Sequence, residues 1–281
     1  MHLIDAHQHF WRLDRGDYGW LTPEAGALYR DWQPADLEPL LAAHGVRATV
    51  LVQAAPTEAE TEYLLRLARD HAFIAGVVGW SDFEAADAPR RIAALAARGE
   101  GRLRGLRPMV QDIADPGWLA RPDLDPAFAA MAKHGLAFDA LVRPRHLAPL
   151  HARLLRHPDL RAVIDHAGKP DIAGGGFDGW ARDIAALARD TGAYCKLSGL
   201  LSEAGEGAGA GTLDRYAAHM LACFGPTRVL WGSDWPVLNL CGDYGGWLAL
   251  ARDLIRRHAP EAEARVFGGN AATLYGLEFA S

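Results

Sequence analysis

Eight times along this chain a short apolar run is followed by an amphipathic stretch, and that alternation constrains the fold more than any other feature. The runs cover 3–7, 47–53, 73–80, 103–107, 137–142, 161–165, 193–197 and 228–232. Each is near-continuously apolar, as expected of strands buried on both faces. Helical patterns separate them. Asp36 opens one that carries Leu37, Leu40 and Leu41 and ends at Gly45. Thr57 and Glu60 stand at capping-box spacing ahead of Tyr63, Leu64 and Leu65. Asp125 opens another, with Phe128 and Met131, that closes at Gly135. Comparable patterns cover 87–97, 146–156, 178–190, 212–223 and 246–257, and 261–267 and 270–275 read as short terminal helices closing the structure. Strand then helix, eight times in 281 residues, predicts an α/β chain folded as one (β/α)₈ TIM barrel domain over 1–281. A doubly wound sheet is the alternative. No GxGxxG follows the first strand, which counts against its dinucleotide-binding form.

Composition then removes several functions. Thirty-five acidic and 29 basic residues give a formal charge of −6, which argues against a general nucleic-acid or anionic-membrane partner. No apolar run approaches the ~20 residues of a membrane span. The first residues carry neither a basic nor an apolar leader, so no signal peptide is expected. Cys195, Cys223 and Cys241 are odd in number and far apart. They make no disulfide framework and point to a reduced, cytoplasmic setting.

In a barrel the informative positions are the C-terminal ends of the strands. The first ends His7-Gln8-His9, the second at Gln53 and the fourth at Arg107. Asp139 lies within the fifth, and the sixth ends Asp165-His166 with Lys169 just beyond. Lys196 and Ser198 belong to the seventh, and Ser233-Asp234-Trp235-Pro236 follows the eighth. His7 and His9 are two apart and share one face of their strand, so they can chelate a metal or orient a substrate together. With His166 and Asp234 on later strands they form a far more specific set than a histidine pair alone. Lys169, ahead of Pro170, is read as capping a turn. Three segments that follow strands stand out: an aromatic one at 10–33 with Trp11, Tyr18, Trp20, Tyr29 and Trp32, and Gly-rich ones at 174–176 and 203–211. The Gly-rich pair reads as surface loop.

The strings Asp5-Ala6-His7-Gln8-His9-Phe10-Trp11, Val163-Ile164-Asp165-His166-Ala167-Gly168-Lys169-Pro170, Cys195-Lys196-Leu197-Ser198-Gly199-Leu200 and Gly232-Ser233-Asp234-Trp235-Pro236 resemble the amidohydrolase-2 branch of the amidohydrolase superfamily. More narrowly they resemble its sugar-lactone hydrolases, of the L-fuconolactonase and L-rhamnonolactonase type. Gly269-Asn270-Ala271 before Leu274-Tyr275 fits the same pattern, and the resemblance runs essentially end to end. It implies a barrel with its site at the strand C-terminal ends, Asp234 as general base, and His7, His9 and His166 beside it. Superfamily members with two metals carry a carboxylated lysine after strand four. Arg107 stands there, so a bridged two-metal centre is not expected. The resemblance allows one divalent ion, zinc by preference, on His7, His9, His166 and Asp234, and does not require it.

Opening a lactone is acyl transfer to water, which needs a base, oxyanion donors and a proton for the leaving alkoxide. Asp234 suits the base and His166 a relay. Arg107 or Lys196 suits the carbonyl, and His7 or His9 can bind it directly or through the metal. Gln53, Asp139, Trp32 and Trp235 are the expected substrate contacts, Trp235 first among the aromatics. The expected partner is a small sugar lactone. Two alternatives on the same fold are hydrolysis of a dicarboxylate lactone from aromatic breakdown, which would call for several mouth arginines, and metal-dependent decarboxylation. A barrel that binds a ligand without turnover is the non-enzymatic alternative.

Overall fold

The computed structural model describes residues 2–205 and 210–279. Residues 206–209, within the Gly-rich stretch read as surface loop, lie outside them. Eight strands form one sheet in the order β1 to β8: β1 (Leu3–Gln8), β2 (Val46–Val52), β3 (Ile74–Gly79), β4 (Leu103–Leu106), β5 (Ala137–Ala140), β6 (Ala162–Ile164), β7 (Tyr194–Leu197) and β8 (Val229–Trp231). Every neighbouring pair is parallel. The helices between them are α1 (Pro34–His44), α2 (Glu58–Asp70), α3 (Ala88–Arg98), α4 (Asp125–Lys133), α5 (Leu147–Arg156), α6 (Phe177–Asp190), α7 (Leu200–Ala204), α8 (Ala210–Phe224) and α9 (Tyr244–His258). This is the (β/α)₈ barrel that the alternation predicts.

The barrel closes between β1 and β8. Just past the end of β8, the Asp234 amide donates to the His7 carbonyl, and the His9 amide donates to the Trp235 carbonyl, both at 2.8 Å. Gly232 permits this approach: a Cβ there would come within 2.7 Å of the His7 Cβ. The buried Asp5 carboxylate ties the seam further by accepting from the Ser233 amide (2.8 Å) and the Tyr244 hydroxyl (3.0 Å).

Between strands and helices lies the larger apolar core, with Leu51, Leu106, Phe128, Phe138, Ile164 and Trp231 among its members. Inside the barrel a second apolar cluster fills the lower half, where Ile4, Ala6, Val50, Val163 and Leu230 meet Leu274. Leu274 belongs to α10 (Asn270–Tyr275), which plugs the barrel from below. The expected pair of terminal helices is thus only half realised. The first part of that segment is a short turn, Pro260–Ala262, and a kinked stretch, Arg265–Gly269, with Gly268 pressed against the backbone of His2.

The starts of α1, α2 and α4 are set by local contacts. Gln33 caps α1, and Asp36 sits a turn inside, accepting from the Gln33 amide (2.9 Å). Pro34 at the first helical position favours that earlier start. Asp125 is the first residue of α4, not its cap. Thr57 caps α2 by accepting from the Glu60 amide (3.0 Å). The Glu60 carboxylate does not return the bond; it accepts from the Ala54 and Ala55 amides and pins the loop after β2. Burial raises its pKa to about 7, against the lowering pull of those two amides.

Candidate active site

A slip in β1 decides which residues face the barrel interior. Asp5 pairs with Thr49 and Gln8 with Leu51, so three residue steps on β1 span two on β2. Below the slip Ile4 and Ala6 belong to the interior cluster. Above it His7 and His9 turn inward, with their Nε2 atoms 3.1 Å apart. Gln8 points the other way and donates to Thr49 Oγ1 (3.1 Å).

Across from this pair stand two residues in the left-handed region, which non-glycine residues seldom occupy. His166 has φ +53° and Asp234 φ +59°. Such backbone costs about 1–3 kcal/mol per residue and persists where the surroundings enforce it, often at functional sites. Here it lifts both side chains off their strand ends. The Asp234 Oδ1 lies 3.4 Å from His9 Nε2, 3.6 Å from His7 Nε2 and 3.8 Å from His166 Nε2. One carboxylate oxygen thus faces three imidazoles. His166 is aimed by its Nδ1 contact with Ser198 Oγ (2.9 Å). Gly199, at φ +66°, clears its ring; a Cβ there would come within 2.7 Å of His166 Cγ.

Under this cluster is a layer of charge. Lys196 Nζ contacts Asp139 Oδ2 (2.5 Å), Asp165 Oδ1 (2.9 Å) and His7 Nδ1 (3.1 Å). The Tyr275 hydroxyl, on the plug helix, donates to Asp139 Oδ2 (2.6 Å). Arg107 reaches Asp165 Oδ2 (3.3 Å) and donates to the Gln53 side chain and carbonyl. Lys196, Asp139 and Asp165 are fully buried. Burial works to lower the Lys196 pKa, but Asp139 and Asp165 raise it above its ordinary value. Burial raises Asp139 to about 6 against the pull of Lys196. Burial would raise Asp165 too, yet Lys196, His7 and Arg107 hold it well below the usual carboxylate range.

His7 and His166 above are kept neutral. Burial, with Lys196 adding to it, pushes His7 well below its ordinary value, and burial pushes His166 down to about 4. Burial opposes ionisation of Asp234, but His166, His9 and His7 hold it below its usual range. At neutral pH the Asp234 carboxylate therefore stands beside the uncharged rings of His7 and His166.

The cavity over this cluster has a volume of about 280 Å³, and His9, Arg107, His166 and Asp234 line it together with Trp11, Trp20 and Lys169. His7 lies just beneath. The other expected residues are elsewhere. Lys196 and Asp139 sit one layer down and offer the cavity no surface. Gln53 is turned away to hold Arg107. Trp32 and Trp235 pack edge to face (5.1 Å) and line a separate cavity with Arg30 and Tyr244. The aromatic surface at the mouth comes from Trp11 and Trp20 instead. Asp165 and Ser198 are the functional groups not expected as such. Both stand inside the strand-end strings, but nothing in a single sequence marks a carboxylate as the partner of a buried lysine.

The donors suit one divalent ion. Ligand atoms of His7, His9 and Asp234 lie within 4.8 Å of one another, and so do those of His7, Asp165 and His166. His9 Nδ1 faces the Val52 carbonyl at 2.8 Å, which puts its proton there and leaves Nε2 as a free lone pair. His7 Nδ1 faces both Lys196 Nζ and Asp165 Oδ1 (3.5 Å). With its proton shared to Asp165, His7 also presents a bare Nε2.

Comparison with known proteins agrees with this construction. The family described as amidohydrolase matches residues 4–277. The L-fucono-1,5-lactonase of Burkholderia ambifaria is 49% identical over 98% of this chain and 96% of its own length. The L-fucono-1,5-lactonase of Burkholderia multivorans is 38% identical, over 98% and 96%. A crystal structure of an amidohydrolase from Burkholderia multivorans with bound zinc superposes with a TM-score of 0.91 at 35% identity, covering 99% of this chain and 100% of the other. The barrel, the strand-end histidines and these matches place the chain in the amidohydrolase family.

Proposed function

We infer that this chain hydrolyses a sugar-acid lactone of the L-fucono-1,5-lactone or L-rhamnonolactone kind, with residues 1–281 acting as one domain. The observation that carries the reading is the Asp234 carboxylate, facing three imidazoles at the floor of a cavity of about 280 Å³. That cavity suits one small neutral ring. A dicarboxylate would call for several free arginines. Arg143 and Arg145 do not line the cavity, and Arg145 instead reaches the Gln111 carbonyl (3.1 Å) and His146 Nε2 (3.0 Å).

Water adds to the acyl carbon while Asp234 takes its proton, and the C=O π pair moves onto the carbonyl oxygen. As the adduct collapses, that pair re-forms C=O and the bond from acyl carbon to ring oxygen breaks. The ring oxygen takes the proton back from Asp234, leaving the open hydroxy acid. His166, neutral and 3.8 Å away, is placed to hold the water or relay that proton. His7, His9 and Asp234 would hold a zinc or similar ion. When bound, such an ion supplies Lewis acidity beside the acyl group.

The proposal extends to a cytoplasmic setting, without a nucleic-acid partner. The cysteines are free, the formal charge is −6, and among the described residues no helix is long and apolar enough to cross a membrane. The test is proton release from sugar lactones by the native enzyme, a chelated sample and Asp234→Asn. The variant should lose about 1000-fold in kcat while still binding the product aldonate by calorimetry. An unaltered kcat in that variant would remove Asp234 as the base. Loss of all activity on chelation would make the ion obligatory.

A further inference from the structure

Acyl transfer also needs a donor for the carbonyl oxygen, and counting N–H groups at the mouth identifies it. Lys196 gives two of its three ammonium protons to Asp139 and Asp165, lies 3.1 Å from His7 Nδ1, and offers the cavity no surface. Arg107 has five N–H groups. Its Nε and Nη2 go to the Gln53 side chain and carbonyl, and Nη1 goes to Asp165 (3.3 Å) and towards His7 Nε2 (3.4 Å). Lys196 is held below the cavity, and Arg107 is committed to Gln53 and Asp165. Lys169 differs from both. Its Nζ donates to Gln111 Oε1 (3.1 Å) and pairs with Glu203 Oε1 (3.2 Å), which leaves one ammonium proton without a partner among the described residues. Its side chain is 18% exposed and lines the same cavity as His166 and Asp234.

The backbone commits to this placement. His166, Ala167, Gly168 and Lys169 all have positive φ, between +50° and +73°. A turn tight enough to need four such residues in succession brings His166 and Lys169 to one cavity wall. Gln111 follows β4 and Glu203 lies on α7, so partners from two other parts of the barrel mouth hold the ammonium in place.

We propose that Lys169 is a catalytic residue of the lactonase reaction, donating its free N–H to the acyl oxygen as that oxygen takes the π electron pair. This rests on the lactonase reading above. The ammonium stays charged throughout: it stabilises the oxyanion without transferring its proton, and the donated bond relaxes when C=O re-forms.

The test compares native enzyme, Lys169→Met and Lys169→Arg in steady-state hydrolysis of L-fucono-1,5-lactone, with calorimetric titration of the product aldonate and thermal midpoints alongside. Lys169→Met should lose about 100-fold in kcat with KM changed less than about threefold, because the interaction strengthens only as charge develops. Lys169→Arg should recover about tenfold of that, and both midpoints should stay near the native value. The proposal is overturned if Lys169→Met keeps kcat within about threefold, if its loss falls on KM alone, or if Lys169→Arg is no faster than Lys169→Met. Should the native enzyme turn over no sugar lactone, the functional reading fails by itself, and the aldonate titration then decides Lys169. About tenfold weaker binding by Lys169→Met sustains an acyl-oxygen donor, and equal binding removes it.

Discussion

On β5, β6 and β7 the lower interior carries Ala137, Val163 and Tyr194; two residues further along, the same strands carry Asp139, Asp165 and Lys196. One strand step of two residues, about 6.6 Å, separates a floor of apolar side chains from a cross-section of buried charge. The two layers are stabilised differently. The floor holds by close packing, which needs no partner atom by atom. The charged layer holds because each ion has a named counterpart, and its neutral sum lets it stay out of water. Breaking the pattern in the upper layer should therefore cost more than an equal change of volume below.

The largest effect is expected from Lys196→Met. It strands Asp139 without its cation and leaves Asp165 with Arg107 alone, and we expect a loss of about 4 kcal/mol in denaturant titration, with activity falling alongside. Leu274→Ala removes floor volume from the plug helix and should cost about 3 kcal/mol, while the folded fraction keeps its native kcat. An active-site defect in the folded Leu274→Ala protein would break the separation between layers.

Glu60 sharpens the contrast, because it is a buried carboxylate with no cation partner among the described residues. Its pKa is raised from 4.5 to about 7. Between those values the folded chain keeps a proton that the unfolded chain has released, so stability falls as pH rises through the window. The slope is at most about 1.4 kcal/mol per pH unit. Glu60→Gln should remove that fall, read as a flatter stability profile between pH 4.5 and about 7 than the native protein shows. An unchanged profile would mean the burial is not felt. The smallest effect belongs to Tyr275→Phe, which cuts the hydroxyl bond from the floor helix to Asp139. We expect about 1 kcal/mol by thermal denaturation and a kcat within about threefold of native.

The same two layers explain what a reader of the sequence can and cannot see. Apolar runs broken by amphipathic stretches announce the eight strands, and ionisable groups at their ends announce a mouth. His7, His9, His166 and Asp234 are legible in this way. Depth is not. Alternation by two assigns Asp139 and Lys196 to the inner face but says nothing of how far below the cavity they stop. The slip in β1 is equally silent: His7 and His9 share a face either way, and only pairing with β2 shows that Ala6 joins them. Trp32 and Trp235 illustrate a third limit. An aromatic segment advertises ring surface, yet its path decides which side of the loop each ring takes, and here Trp11 and Trp20 face the cavity. Glu60 shows a local signal diverted, since its capping-box position served a loop amide instead of the helix start.

The seam between β1 and the end of β8 has a dynamic consequence. The proposed base and two of its histidines are joined by main-chain bonds, His9 amide to Trp235 carbonyl and Asp234 amide to His7 carbonyl. Changes in the path of the mouth loops therefore do not reset the spacing of these groups. Capture and chemistry are carried by parts that can move on separate clocks. Substitutions that loosen the long loop before α1 should alter how quickly substrate enters and leaves, while the intrinsic rate of the step at Asp234 stays where the seam fixes it.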